Sequence, residues 1–362
     1  MPPPSSPRPP GGAQSLADPP GEALRDAERH DVGGITAEGG IIPIAAVEAN
    51  AASRWKGLGL GSWLAIGWLV FVVAMALLAP ILPIGDPSET IHLERPCPTV
   101  ERLNREVEQC TIQGKGPLSS LGTARGHPLG GDNIGRSMGA RLVYGARTSL
   151  VVAVGAVAVG FVIGGMMGLI AGYFGGRVDT LISGVMNVLL SLPAIILALA
   201  LVAFLRNPSS EGSGDASTLP SEVILIIAIG VVAIPLLGRI TRGSTISWAQ
   251  REFVLAARAQ GAKNMRIMFR EVLPNVLPAM LSIALLGIAV AIVAEGALSI
   301  LGLGVQPPGA SWGNLIGQGR GSLEDSPHIV LEPSILIFVT VLSLNYLGDV
   351  VRARFDVREA GI

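Results

Sequence analysis

The chain has 362 residues, of which 49% are hydrophobic, 15% charged and 4% aromatic, with a formal net charge of −1. A soluble domain of this length needs more charge to cover its surface, so the composition points to a polytopic membrane protein. The neutral balance gives no basic field for nucleic acid, and no G-x-x-x-x-G-K-[ST] occurs, which excludes a P-loop within this chain. No His/Cys spacing fits a metal site.

Residues 1–57 open MPPPSSPRPPGG and continue rich in Pro, Gly, Ala and scattered charge. They predict a disordered cytoplasmic tail, with a short partner-binding motif as an alternative. The first apolar segment lies too far in, and is too long, for a signal peptide.

Crossing a bilayer takes about 20 mostly apolar residues as a helix. Six stretches qualify: Trp63 to Ile84, Ser149 to Phe174, Thr180 to Leu205, Val223 to Gly238, Ala279 to Leu303 and Pro333 to Val350. The expected organisation is a tail over 1–57, a first helix over 58–84, and an outer loop with an interfacial segment over 85–147. A five-helix core over 148–350 and a C-terminal tail over 351–362 complete it. Arg54 and Lys56 precede the first span, and Arg239, Arg242, Arg251, Arg258, Lys263, Arg266 and Arg270 crowd the loop over 239–278. Arg352, Arg354 and Arg358 follow the last span, so both termini and that loop are expected in the cytoplasm. The segment over 85–147 holds eight basic residues yet falls outside, near the length at which the charge rule weakens.

Cys97 and Cys110 fall in that outer segment. A disulfide there would stabilise by roughly 3 kcal/mol, with two unpaired thiols as the alternative. Arg141 and Arg147 beside an apolar span are expected to anchor an interfacial helix by snorkelling. In the second span Gly160, Gly164, Gly168 and Gly172 recur every four residues, a seam along which two helix backbones can touch. Pro193 and Pro235 favour kinks in the third and fourth spans, as parts of a gate or as kinks that neighbours merely tolerate. Glu295 lies deep in the fifth span, where a carboxylate needs a partner or water; it is a candidate for the translocation path or for a bond between helices.

The loop over 239–278 is a polar insert between spans. Phe253, Val254, Ala257 and Gly261 fall near one helical face, as in a short amphipathic helix that exposes small residues to a soluble partner. Gly261 is placed to end that helix in a left-handed conformation, and Pro274 and Pro278 to restrict the chain on re-entry. Contact with anionic lipid heads is the alternative.

Several segments resemble one family. Ala256-Ala257, Gly261 and Leu273-Pro274 resemble the coupling motif of ABC importer permeases. HPLGGDNIGRSMGARLVYGARTSL (His127–Leu150) resembles the segment before the second span in the dipeptide/oligopeptide/nickel family of these importers, departing at Gly131, Ser137 and Gly139. EGALSILGLGVQPPGASWGNLIGQGR from Glu295, and the ending SLNYLGDVVRARFDVREA, match it as well, so the resemblance covers roughly residues 60–362. It implies an all-α membrane protein of six transmembrane helices, of the type I importer permease kind, with a cytoplasmic coupling helix and an outer loop after helix 1.

The implied function is a permease subunit of an ATP-driven importer for di- or oligopeptides in the bacterial inner membrane, itself no enzyme and holding no cofactor. A nickel chelate or glutathione is the alternative cargo, and an ion-coupled secondary transporter the remote alternative. Implied partners are a second permease, two P-loop ATPases holding ATP and Mg, a substrate-binding protein outside, and the lipid bilayer; nucleic acid is not among them. The ATPase is expected to meet Arg251, Glu252, Ala256, Ala257, Arg258, Gly261 and Pro274, and the binding protein Asp132, Arg136, Arg141 and Trp312. Two departures stand out: Leu255 occupies the place of the coupling glutamate, so that Glu252 or a changed partner surface must answer for it, and Asn187 replaces the family's aspartate in the third span.

Overall fold

The computed structural model describes residues 59–82, 84–91, 99–102, 105–108, 116, 127–206 and 219–359. The expected tail over 1–57, and the Cys97–Cys110 pair, lie outside the described residues.

Apolar runs too long for a compact soluble core become long helices: α1 (Leu60–Leu78), α2 (Met138–Phe174), α3 (Gly176–Ser191), α4 (Ala194–Arg206), α5 (Ser221–Ala249), the short α6 (Glu252–Ala259), α7 (Asn264–Ile300), the short α8 (Trp312–Gly319) and α9 (His328–Glu359). Among the described residues five helices are long and apolar enough to cross a membrane, and the bent pair α3–α4 makes a sixth span if counted as one. The only strands described form one antiparallel hairpin, β1 (Thr99–Arg102) with β2 (Arg105–Glu108), in register Thr99↔Glu108. Large apolar side chains stand exposed on the outer faces, among them Leu77, Phe204 and Phe338, as expected where the solvent is lipid.

Six expected boundaries are corrected, beginning with the first helix, which ends at Leu78 rather than at 84, and the last, which starts at His328 and runs on to Glu359 through most of the expected tail. The third span is a broken pair, bent by 88° between α3 and α4. Pro193 causes the break: it lacks an N–H and forces Leu192 into an extended conformation, ψ 134°. The fourth span runs on through Pro235 to Ala249, so much of the loop over 239–278 is helix. The fifth starts at Asn264, and Pro274 and Pro278 lie within its course rather than ahead of it. A π turn over Met268–Val272 just before them breaks the regular i→i−4 ladder at the place where the prolines remove donors. The expected interfacial helix is no separate element, because α2 is continuous from Met138 to Phe174 with a π turn over Gly160–Gly164.

The α2 glycine seam packs on α5. A methyl group on Gly164 would sit 2.3 Å from the Ile234 carbonyl oxygen, and one on Gly168 2.2 Å from that of Gly238. At these positions only hydrogen lets the two backbones touch. Around the seam, Val152, Ala156, Ile224, Leu225 and Ile292 join α2, α5 and α7 in a single apolar core. A second cluster ties α1, α2, α8 and α9 through Val72, Met138, Trp312 and Ile329.

Candidate coupling and docking sites

The polar insert is packed against the ends of the long helices. Arg251, extended at φ −73° and ψ 153°, starts α6 one residue after the Gln250 cap of α5. Val254 is fully buried against a cluster containing Tyr173, Ile267 and Met268, which seats α6 on the last turn of α2 and the first turns of α7. Tyr173 Oη donates to Asn264 Oδ1 at 3.2 Å. The Arg258 guanidinium lies 5.5 Å from the Tyr173 ring centre, and that of Arg251 lies 5.3 Å from the Trp248 ring centre. Gly261 closes the helix at φ 79°, with Ala262 N–H donating to the Ala257 carbonyl at 3.1 Å.

The exposed ridge differs from the expected one. Val254 and Ala257 turn to the body, while Glu252, Leu255, Ala256 and Ala259 face outward, flanked by exposed Arg251 and Arg258. Leu255 is 55% exposed, an apolar side chain at the crest of an otherwise small-residue ridge. Pro274 is exposed too, at the start of the straight part of α7.

At the other end of α2 a buried polar knot ties four elements. Asp132 Oδ1 accepts from the backbone N–H of Ile134 (3.0 Å) and of Arg136 (2.8 Å). Asp132 Oδ2 takes Arg136 Nε at 2.7 Å and pairs with an Arg141 terminal nitrogen at 3.2 Å. Both guanidinium groups also donate to Gln318 Oε1 of α8, at 3.1 and 3.2 Å, and Asn133 donates to the Gln318 carbonyl at 3.1 Å. His328 Nε2 lies 3.1 Å from the Gly131 carbonyl oxygen and joins α9 to the knot. One carboxylate between two guanidinium groups leaves a net positive charge, which the Gln318 amide oxygen helps to satisfy.

A second centre surrounds Glu295 of α7. Its carboxylate accepts from Ser299 and Ser311, each at 2.7 Å, and from Ser149 of α2 at 3.2 Å. Ser149 Oγ in turn accepts the Trp312 backbone N–H at 3.1 Å, and Trp312 Nε1 donates to the Leu142 carbonyl at 3.0 Å.

These geometries correct two expectations. Asp132, Arg136, Arg141 and Trp312 present no contact surface: their exposures are 3%, 7%, 0% and 0%. Arg141 turns inward to Asp132 and Gln318 instead of snorkelling, although its buried Nε and one terminal nitrogen have no hydrogen-bond partner among the described residues; what a docking protein could touch is the exposed Pro128, Leu129 and Ile134 that this cluster holds in place. Glu295, also fully buried, lines no passage within this chain, because three hydroxyls occupy its carboxylate. Pro193 sits at the α3–α4 elbow and Pro235 inside α5; their successors Ala194 and Leu236 line an apolar cavity of about 320 Å³ among α2, α4, α5 and α7.

Residues 164–360, more than half of the chain, match the family described as the binding-protein-dependent transport system inner membrane component. The chain belongs to that family. Three curated relatives of this inner-membrane component are similar over most of their length. The "Dipeptide transport system permease protein DppC" of Alkalihalophilus pseudofirmus is 40% identical over 235 residues, 65% of this chain and 73% of that protein. The "Di/tripeptide transport system permease protein DppC" of Pseudomonas aeruginosa is 34% identical over 295 residues, 81% of this chain and 87% of that protein. The "Glutathione transport system permease protein GsiD" of Pectobacterium atrosepticum is 36% identical over 235 residues, 65% of this chain and 74% of that protein. Membership makes the chain a multi-pass inner-membrane transport permease.

Sequence reasoning missed most of the polar partners. Gln318, Asn133, His328, Ser149 and Ser311 stand as scattered polar residues, although all but His328 lie in a segment that carries the family resemblance. Glu332 falls just ahead of the expected last span, and the earlier start of α9 brings it inside; both of its carboxylate oxygens are shielded, with no hydrogen-bond partner among the described residues. Asp179 and Arg242, an ion pair between α3 and α5, carried no signal either.

Proposed function

We propose that the chain is the permease subunit of an ATP-driven importer of di- or oligopeptides, forming half of a translocation path with a second, homologous permease. The observation that carries this reading is the α6 ridge: a small-residue crest, rigidly seated through Val254, Tyr173 and Asn264 on the ends of α2 and α7, is the shape a soluble motor subunit needs to push helices. Two P-loop ATPases holding ATP and Mg would grip the two ridges, one on each permease. A substrate-binding protein would dock at the opposite face, and the termini and α6 would lie in the cytoplasm. Peptide cargo is supported by the names of two relatives, and glutathione, itself a peptide, by that of the third. The broken α3–α4 pair is a feature that ion-coupled carriers also use, but such a carrier has no use for the α6 ridge.

The test is to purify the tagged chain in mild detergent, identify co-purifying subunits, and reconstitute them with the binding protein in liposomes. Recovery of a second permease and P-loop ATPases, with ATP-dependent uptake of a labelled dipeptide, is the expected result. A chain recovered alone that catalyses ion-driven flux would sink the reading. Competition by glutathione against the dipeptide separates the two cargoes.

A further inference from the structure

The helix α3 is thinly packed, and its attachments to α5 are mostly polar, with Met186 beside Gly238 as an apolar one. Of its sixteen residues only Met186 is buried, while Leu181 and Val188 are 71% and 67% exposed. It is bounded by two pivots. On one side Gly175 and Gly176 hold φ of 63° and 52°, and added Cβ atoms would meet nothing within 4 Å, so these glycines serve the backbone rather than a tight contact. On the other side is the 88° elbow at Leu192-Pro193.

Between the pivots two polar rungs hold α3 to α5, on either side of the buried Met186 side chain that packs beside Gly238. The Asp179 carboxylate takes Arg242 in a two-pronged pair, with one nitrogen at 2.6 Å, and also accepts from Ser183 Oγ at 2.9 Å. Two helical turns further on, Arg239 donates to Asn187 Oδ1 at 2.8 Å. The partner α5 is by contrast fixed, since its backbone lies in contact with the α2 glycine seam. It also leads directly into α6, which begins just past its end at Ala249. A polar clasp on a thinly packed helix, facing a rigid frame that carries the ridge, is arranged to open and close.

We infer that α3 is the moving arm of this permease, and that Asp179–Arg242 and Asn187–Arg239 form a clasp setting how much of the time it rests against α5. One rung is ionic and the other neutral. The chain therefore holds the arm more loosely than two ion pairs would, and the two rungs can be tuned in opposite directions. Asp179, Asn187, Arg239 and Arg242 are positioning residues of the transport cycle. What drives the arm rests on the importer reading; the clasp itself does not.

The experiment places spin labels at Leu181→Cys and Gly243→Cys, in a background with Cys97 and Cys110 replaced by serine, in the reconstituted complex with and without trapped ATP. Distances between α3 and α5 are read alongside dipeptide uptake. Asp179→Asn is expected to enlarge the separated population about fivefold, the upper range for a partly exposed ion pair, and Asn187→Asp to reduce it by a similar factor. The exchange Asp179→Arg with Arg242→Asp should return it towards the parent value, which a purely structural role would not predict. Superimposable distance distributions for the parent and all variants would overturn the inference, whatever the uptake. Absence of uptake in the parent complex would count against the importer reading alone, since the distance comparison among variants needs no transport.

Discussion

Replacing Gly168 with alanine tests whether α2 and α5 form a rigid frame. The added methyl would sit 2.2 Å from the Gly238 carbonyl oxygen and 2.8 Å from Thr241 Cβ. Relief requires the helices to part by about 1 Å, and a gap of that size forfeits a quarter to a half of each neighbouring dispersion contact. Overpacking in a close-packed interior costs about 1–3 kcal/mol, and this site belongs at the top of that range because the obstacle is helix backbone rather than the end of a side chain. The matched control is Gly243→Ala on the same stretch of α5, where an added Cβ meets nothing within 4 Å. There alanine should gain up to about 1 kcal/mol in helix propensity. Unfolding midpoints of the purified chain in detergent, by heat or by titration with a denaturing detergent, should move in opposite directions for the two variants. Equal midpoints would refute a close backbone contact between α2 and α5, and with it the fixed frame against which α3 is held.

The remaining expectations concern the polar centres and the ridge. Glu295→Ala strands the Ser149, Ser299 and Ser311 hydroxyls and should cost about 2–4 kcal/mol on the same unfolding assay, whereas Ser299→Ala, which leaves the carboxylate its Ser149 and Ser311 donors, should cost about 1 kcal/mol; equal losses would argue against the network. Arg141→Ala leaves Asp132 and Gln318 short of a buried partner and should cost about 3–5 kcal/mol, with Arg141→Lys only partly restoring it because an ammonium cannot fork between the two. Leu255→Glu should leave the unfolding midpoint within about 0.5 kcal/mol of the parent, since the side chain is exposed, yet change ATP-coupled uptake. Unchanged uptake there, together with a loss in Glu252→Ala, would move the ATPase contact to Glu252.

The parts of the fold legible in the sequence were those governed by local chemistry. Apolar length marked the spans, the four-residue glycine period marked the α2 seam, and Gly261 marked the end of α6 because a left-handed cap favours that residue. Span ends were misjudged where polar residues continue a helix, as from Gly238 to Ala249 and from Met138 to Ser149, because hydropathy reports lipid contact rather than helicity. Pro193 and Pro235 illustrate the limit of local rules: the same residue type breaks the chain into α3 and α4 in one place and is absorbed within α5 in the other, where packing on α2 holds the helix together. The polar knots were least visible. Asp132 meets Gln318 through its two arginines, and Glu295 meets Ser149, across separations in sequence that no periodicity spans.

The unbroken course of α2 has a mechanical consequence. At about 1.5 Å per residue its 37 residues extend roughly 55 Å, well beyond a hydrocarbon layer of about 30 Å. Its first turn is clamped by Arg141 and by the Trp312 bond to Leu142, and its last turn carries Tyr173 against α6 and α7. The glycine seam fixes the half of α2 nearer α6 against α5, from Gly160 to Gly172. The polar knot at one end and the α6 seat at the other are thus joined by one continuous rod, so that a displacement imposed at either end is carried to the other without passing through the hinged arm.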